Sequence, residues 1–347
     1  MASSDELIGI KALSREGLAD LIADLGEPRF RAKQLELWLY GRGATSYDAM
    51  TNLPAGLRES LAGRLALPSP RVTAKQQSAD GTRKYLVALA DETTVEVVGL
   101  PSADRLTVCF STQAGCAMGC AFCATGTAGL ARDLGPGEMV DQVRLVADDF
   151  GLRVSNVVAM GQGEPFANYD ATLAACRLIN NPETLGIGAR HITISTCGLL
   201  PGIRRFAEEP EQFTLAVSLH SAVQATRDVL MPGVSGMPLT RLREALVEYA
   251  EKTGRRPSVE YALIKGVNDS DSELAALVAF CRHMLVHVNL IPVNQVEESG
   301  FSRASTERLS SFMDALESAG IQASLRAERG ADIDAACGQL RQRASDS

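Results

Sequence analysis

The sequence predicts an α/β fold, in which a partial barrel of six parallel strands follows a small N-terminal helical domain and a short β linker. Short β-rich runs alternate with longer helical patterns from about residue 105 onward. The preceding residues carry helical patterns first and two strand-like runs afterwards. We therefore expect three parts, residues 1–70, 71–100 and 101–347, and a chain of 347 residues with 46% apolar content is sufficient for them.

Short helices are predicted between about residue 14 and residue 66. Ser14 has a side chain preferred at helix N-caps, and Pro54 stands at the start of a later helix. The run Gly26-Glu27-Pro28 separates the first helix from the second. These signals indicate a small helical domain.

This domain carries the candidate contact for a nucleic acid. Basic and aromatic side chains occur together in one stretch: Arg29, Arg31, Lys33, Trp38, Tyr40 and Arg42. The net charge of -8 over the whole chain opposes phosphate binding, but a local basic patch is sufficient for it. An ordinary amphipathic helix with a solvated basic face has the same pattern, so both interpretations stand.

The sequence gives no signal for a membrane or secretory segment. No apolar run approaches the roughly 18 to 20 residues of a spanning helix. Residues 1–6 lack the basic start of a secretory signal. We therefore expect a cytoplasmic protein, whose eight cysteines act as ligands, nucleophiles or core residues rather than as a disulfide framework.

Strand-like runs predict first the β linker and then the barrel. In the linker the turn Asp80-Gly81 precedes two runs, 84–89 and 93–98. The six barrel runs are 106–110, 155–160, 191–196, 213–218, 258–263 and 286–291. Helical apolar spacing between them, as in 137–150, 239–251 and 270–284, predicts βαβ units and a parallel sheet. Because reactive groups gather at the carboxyl ends of barrel strands, we expect the functional site there.

A cysteine loop follows the first barrel strand. Cys116, Cys120 and Cys123 have C-x3-C-x2-C spacing, with Gly115 and Gly119 to relax the backbone. Three thiolates on one loop can ligate three irons of a 4Fe-4S cluster and leave the fourth iron open for a small molecule, which is where radical S-adenosylmethionine (SAM) enzymes hold SAM. A zinc site would need a fourth ligand at short spacing, and buried free cysteines are the other alternative.

Polar residues at four other strand ends are candidates for SAM binding. Gly163 lets backbone approach a ligand, and Glu164 can accept a hydrogen bond from an ammonium group. The remaining candidates follow the third, fourth and sixth strands: Ser195, Ser218, Leu219, His220 and Asn294. A plain turn, or a satisfied polar residue at a strand end, explains each of them equally well.

These residues give the chain a family resemblance: it resembles the bacterial radical-SAM adenosine methyltransferases of RNA, the RlmN/Cfr family. The resemblance covers nearly the full length. The shared runs are Gly26-Glu-Pro-Arg-Phe-Arg-Ala-Lys-Gln34, Met50-Thr-Asn-Leu-Pro54, Asp80-Gly-Thr-Arg-Lys84, the cysteine loop, Gly163-Glu-Pro165, Ser218-Leu-His220, Gly266-Val-Asn-Asp269 and Asp332-Ile-Asp-Ala-Ala-Cys-Gly-Gln-Leu340.

The resemblance implies roles for three further residues. Cys337 takes a methyl group from one SAM, and a 5'-deoxyadenosyl radical from a second SAM then removes a hydrogen from it. The thiomethylene radical adds to the adenine ring, and Cys109 attacks the Cys337 sulfur to release the product through a transient disulfide. Glu96 matches the family's proton acceptor, although Cys109 could share that step. Without the resemblance, Glu96 is a solvent-facing strand residue and Cys109 a core residue.

The resemblance also implies the partners. They are 23S rRNA, free or in an assembling large subunit, certain tRNAs, and an electron donor such as flavodoxin or ferredoxin, with the chain as a monomer. The expected product is adenosine methylated at C2 in 23S rRNA and 3' to the anticodon of tRNA. The alternatives are a C8 adenosine methyltransferase that confers antibiotic resistance, and a non-enzymatic metal-binding RNA protein.

Overall fold

The computed structural model describes residues 9–103, 105–127, 129–293, 300–327 and 329–333. Its main element is a ten-stranded sheet in the order β1-β2-β3-β4-β7-β8-β9-β10-β11-β12. In the same order, these strands are β1 Arg71–Gln77, β2 Arg83–Ala88, β3 Thr94–Ser102, β4 Arg105–Cys109, β7 Val154–Ala159, β8 Ile192–Thr196, β9 Thr214–Ser218, β10 Ser258–Leu263, β11 His287–Pro292 and β12 Gln322–Leu325. A separate antiparallel pair, β5 (Gln113–Gly115) and β6 (Leu130–Asp133), frames the cysteine loop.

Eleven α-helices are present in the described part of the chain. They are α1 Arg15–Asp24, α2 Phe30–Glu36, α3 Ala55–Ala62, α4 Ala124–Thr127, α5 Pro136–Phe150, α6 Tyr169–Asn180, α7 Leu200–Phe206, α8 Gln224–Leu230, α9 Leu239–Thr253, α10 Asp271–Cys281 and α11 Thr306–Ser318. A π-helical turn, Leu37–Gly41, extends α2. None of the described helices is long and apolar enough to cross a membrane.

The predicted parallel sheet of a partial barrel is confirmed. Strands β4 and β7 to β12 run parallel to one another, so the sheet has seven parallel strands rather than six. The additional strand, β12, is only four residues long and has no fully buried residue. Its pattern was therefore too weak for a sequence-based prediction.

The strands of the predicted β linker belong to the same sheet. Strands β1, β2 and β3 form an antiparallel meander, and β3 pairs with β4 through the register Val98 to Cys109. The first of them was not predicted, because β1 is an almost wholly exposed, polar strand. The meander thus extends the wall of the barrel beyond its parallel strands.

Successive side chains along the parallel strands lie alternately on the outer and the inner face of the sheet. Residues such as Val157, Leu215 and Tyr261 point outward into the main core, which the helices cover. The alternate residues, such as Ser218 and Glu260, point inward, because successive strand side chains lie on opposite faces. The inner face therefore carries these polar side chains beside apolar ones such as Ala262 and Val158.

The N-terminal helices pack against α5 of the barrel. The Ser14 side chain accepts a hydrogen bond of 3.0 Å from the Gly17 amide, as expected of the predicted cap. Lys11 Nζ donates to both carboxylate oxygens of Asp141 on α5, at 2.6 and 2.8 Å. Both side chains are buried, so this ion pair is part of the interface between the two units.

Candidate active site

The cysteine loop is held between two backbone segments. The Cys116 amide donates to the Gly129 carbonyl at 2.8 Å, and the Ala121 amide donates to the Leu230 carbonyl at 2.9 Å. Gly115 has a φ of 81°, and a Cβ there would lie 2.0 Å from the Gly129 oxygen. The predicted need for glycine at this position is therefore confirmed: a side chain would push the loop off its support.

The segment after α8 supports the other side of the loop. The Gly233 amide donates to the Met118 carbonyl at 2.9 Å. A Cβ at Gly233 would lie 2.6 Å from the Met118 backbone, so only glycine allows this approach. Phe122, between the last two cysteines, packs edge-on against His220 with ring centroids 4.5 Å apart.

One pocket joins the cysteine loop to the strand ends. Its empty volume is about 990 Å³, including space open to solvent. Its lining includes eight of the predicted site residues: Cys116, Cys120, Cys123, Gly163, Glu164, Ser195, Ser218 and His220. Leu219 does not line it, because its side chain is fully buried in the main core. Asn294 and Cys337 lie outside the described residues.

The three thiols are close enough to influence one another. Burial raises the pKa of Cys116 to about 11 and raises the pKa of Cys120 further, and in each case the charge of a neighbouring cysteine adds to the effect. A positively charged group bound among them would stabilise the thiolates, because opposite charges favour ionisation. In the described part of the chain, no three His, Cys, Asp or Glu side chains surround a single metal-ion position. In a 4Fe-4S cluster, by contrast, each cysteine binds its own iron.

Glu164 places a carboxylate at the bottom of this pocket. It is buried, and its Oε1 accepts from the Phe166 amide at 2.9 Å while its Oε2 accepts from the Cys197 amide at 2.7 Å. Burial raises the pKa of Glu164. An ammonium group in the pocket would offset this desolvation, which makes Glu164 a suitable partner for an amino group.

His220 is held as a neutral hydrogen-bond donor. Its φ is 56°, an uncommon conformation for a residue other than glycine. Its Nδ1 accepts a hydrogen bond of 3.0 Å from the Ala262 amide, so the ring proton of the neutral form lies on Nε2. Burial, helped by the charge of Arg227, lowers the pKa of His220 to about 3.

Sequence reasoning missed two charged residues beside the pocket. Arg227 on α8 is 1% exposed, and its Nη2 donates to the Cys197 carbonyl at 2.6 Å. Glu260 on β10 lines the pocket and accepts from Asn289 Nδ2 at 2.8 Å. The charged Glu260 within an apolar strand was a usable signal, whereas nothing in the sequence distinguished Arg227 from an exposed helix residue.

Glu96 and Cys109 lie on the adjoining wall of the barrel. Both are buried, and the β3 and β4 register puts them on the same face of the sheet. Neither lines the pocket described above. Lys84 Nζ lies 3.4 Å from Glu96 Oε1, and Cys109 packs in a small apolar cluster with Val98 and Ile333.

Family models match both parts of the chain. The Radical SAM superfamily model matches residues 110–278, and the model of the ribosomal RNA large subunit methyltransferase N-terminal domain matches residues 8–67. Among solved structures, a radical SAM methyltransferase from Sphaerobacter thermophilus superimposes with a TM-score of 0.90 at 45% identity, over 96% of this chain and 99% of that one.

Curated relatives extend the match over nearly the whole length. A probable dual-specificity RNA methyltransferase RlmN from Symbiobacterium thermophilum is 50% identical over 96% of this chain and 91% of its own length. One of the same name from Pelotomaculum thermopropionicum is 47% identical over 97% of this chain and 92% of its own. The chain therefore belongs to the RlmN family of radical SAM RNA methyltransferases.

Proposed function

We propose that this chain methylates C2 of a specific adenosine in 23S rRNA and of the adenosine 3' to the anticodon in tRNAs, using two SAM molecules per turnover. The observation that carries the proposal is the shared pocket, in which three cysteines of one loop face the buried carboxylate of Glu164. The same pocket therefore contains the cysteines that would bind a cluster and a carboxylate that would bind the amino group of SAM.

Three residues would hold a 4Fe-4S cluster: Cys116, Cys120 and Cys123. A bound cluster of this kind supplies the electron that starts radical chemistry on SAM. The remaining pocket residues bind and orient SAM itself. Glu164 accepts from its amino group, and Ser195, Ser218 and the Nε2–H of His220 offer further hydrogen bonds.

The adjoining wall would carry out the chemistry on the base. Cys337 would accept the first methyl group and then lose one hydrogen atom from it to a 5'-deoxyadenosyl radical derived from a second SAM. The thiomethylene radical left on Cys337 would form a carbon–carbon bond to the adenine ring. Glu96 or Cys109 removes the ring proton. Lys84 Nζ lies 3.4 Å from Glu96 Oε1, so an ammonium group is paired with this carboxylate. Once the adduct has returned one electron to the electron carrier, attack of the Cys109 thiolate on the Cys337 sulfur would form a disulfide and break the bond between that sulfur and the new methyl carbon. That carbon would take a proton from solvent.

Covalent geometry supports the pairing of these two cysteines. Ile333 lies in the same apolar cluster as Cys109. Three residues lie between Ile333 and Cys337, so four Cα–Cα steps separate them and span at most about 14 Å. The pairing proposed for Cys109 and Cys337 is therefore within reach of the chain.

The helical domain would bind RNA through its basic face. Arg29, Lys33 and Arg42 are exposed, whereas Trp38 and Tyr40 are buried in the core. The Arg42 guanidinium lies 4.3 Å from the centroid of the Trp38 ring. The aromatic residues therefore hold the domain together and the cations remain available to phosphates. A flavodoxin or ferredoxin would supply the electrons.

The identity of the modified nucleoside tests this proposal. Anaerobically reconstituted protein, SAM and a reductant are incubated with 23S rRNA or tRNA, and the digested nucleosides are analysed by mass spectrometry against standards. We expect 2-methyladenosine, and its loss in Cys337→Ala with the iron content unchanged. A product of 8-methyladenosine would contradict the C2 assignment and favour the resistance enzyme.

A further inference from the structure

Two segments about 250 residues apart in sequence are joined by reciprocal hydrogen bonds. Asp80 Oδ2, in the turn between β1 and β2, accepts from the Gly330 amide at 3.2 Å. Asp332 Oδ2 accepts from the Ala79 amide, also at 3.2 Å. Each segment thus supplies one carboxylate and one amide. We name this arrangement, Asp80 with Gly330 and Asp332 with Ala79, the clasp.

The turn side of the clasp has hydrogen bonds of its own. The Thr82 amide donates to Asp80 Oδ1 at 2.9 Å, and the Ser78 amide donates to the Thr82 carbonyl at 2.8 Å. Asp80 therefore has one oxygen that orders its own turn and one that receives the other segment. This turn joins β1 to β2, and β2 pairs with β3, the strand that carries Glu96 and pairs with the Cys109 strand β4.

The other side of the clasp leads towards Cys337. Hydrogen bonds from Ser78 and the Ala79 amide lower the pKa of Asp332, so this carboxylate accepts as an anion. Arg329 Nη1 lies 3.9 Å from Asp80 Oδ2. Directly after Asp332, Ile333 packs in the apolar cluster that contains Cys109. The clasp consequently anchors the chain five residues before Cys337.

We propose that the clasp positions Cys337 by raising its effective concentration beside Cys109; this inference rests on the roles proposed for the two cysteines. Without the clasp and the Ile333 contact that follows it, the nearest anchor among the described residues is Arg326, eleven residues before Cys337, whose amide donates to the Leu290 carbonyl. With the clasp and this contact in place, the tether from Ile333 to Cys337 is four residue steps long. Effective concentration falls roughly as the 3/2 power of tether length, so a threefold shorter tether raises it roughly fivefold. Asp80 and Asp332 act here as positioning residues.

A disulfide equilibrium measures this effective concentration without RNA or turnover. Anaerobic, cluster-loaded protein is equilibrated in glutathione buffers of graded composition, quenched with acid, alkylated and analysed as peptides by mass spectrometry. Oxidised glutathione is reduced to two thiols while Cys109 and Cys337 lose two hydrogens and form one disulfide. The equilibrium constant then reports how often the two sulfurs meet.

The variants separate positioning from folding. Asp332 is exposed, so Asp332→Ala should leave the fold intact and lower the disulfide equilibrium constant roughly fivefold. Asp332→Asn retains an oxygen that can accept from the Ala79 amide, and it should recover most of the loss. Asp314→Ala, at an exposed carboxylate on α11, is the matched control and should leave the constant unchanged. Adding Asp80→Ala to Asp332→Ala should lower it little further, because both carboxylates join the same two segments.

The outcomes separate the clasp from the proposed function. An equal constant in Asp332→Ala and the unmodified protein would overturn the clasp and leave the thiol pair in place. A failure of the unmodified protein to form the disulfide in any buffer would overturn the assigned pair, and the positioning of Cys337 with it. The nucleoside assay above decides the methyltransferase function independently of both.

Discussion

Glu164 Oε2 accepts a hydrogen bond of 2.7 Å from the backbone amide of Cys197, which links the ends of β7 and β8. The other oxygen accepts from the Phe166 amide, so the carboxylate is oriented before any ligand arrives. Each carboxylate oxygen has a second lone pair for a ligand donor. Because the carboxylate is already oriented, little of the binding free energy of a ligand is lost in ordering this side chain.

Glu164→Gln should weaken SAM binding at least tenfold. The change removes the negative charge that we propose binds the SAM amino group, and it leaves one of the two backbone amides without an acceptor. Equilibrium dialysis with reconstituted protein gives the dissociation constant, with the iron content measured on each sample. Glu208→Gln, at an exposed carboxylate after α7, serves as the control. An unchanged dissociation constant in Glu164→Gln would rule out this role.

The buried imidazole of His220 should make stability depend on pH. Its pKa is about 3 in the folded protein against the ordinary 6.5, so between these values the unfolded chain binds a proton that the folded one does not. Stability is therefore lost as the pH falls below 6.5. From pH 7.5 to 5.5 the free energy of unfolding should fall by about 1.4 kcal/mol more in the unmodified protein than in His220→Asn.

Urea unfolding at the two pH values measures this difference, and other titrating groups cancel in the comparison. Asparagine suits the substitution because it tolerates positive φ better than most residues. Identical pH dependence in both proteins would show that His220 is not held in its neutral form.

Gly233→Ala should reduce cluster retention. The added methyl carbon would meet the Met118 backbone at 2.6 Å and displace the cysteine loop that Gly233 supports. Iron per chain after reconstitution should fall by at least half. Gly56→Ala on α3, where nothing lies within 4 Å of the new carbon, should retain full iron content. Equal iron content in the two variants would contradict this support.

Breaking the Lys11 and Asp141 ion pair should destabilise the protein strongly. Lys11→Met leaves a buried carboxylate without its cation and should lower the free energy of unfolding by about 3–5 kcal/mol. The double variant Lys11→Met, Asp141→Leu removes both charges and should recover most of that loss. Urea denaturation of both proteins is the measurement. A cost below about 1 kcal/mol for Lys11→Met would mean that the pair is not desolvated.

Local patterns in the sequence predicted the catalytic half of the fold well. A few consecutive residues are enough to recognise an apolar strand such as Ile192–Thr196 or the spacing of the three cysteines. The pairing of Lys11 with Asp141 joins positions 130 residues apart, and nothing local marks it. Arg227 looks like an exposed helix residue until the strand ends that surround it are placed.

The residues proposed to act on the base, Cys109 and Glu96, could not be assigned from local sequence patterns. Cys109 on an apolar strand reads as a core residue, and its structural surroundings are apolar as well. Its proposed role comes from the resemblance, and only the position of Ile333 in the same cluster adds independent support. Glu96 is similar: the alternation of β3 placed it on the solvent side, whereas the structure buries it on the inner face of the barrel.

The most direct test of the account is whether the methyl group passes through Cys337 as a radical. The reconstituted protein is incubated for several turnovers with RNA and with SAM whose methyl group is fully deuterated. The mass of the methyladenosine product is then measured by mass spectrometry. Radical removal of one deuterium from the S-methyl group predicts a product methyl with two deuteriums and one hydrogen from solvent. A product with all three deuteriums would mean direct methyl transfer from SAM and would contradict the central claim.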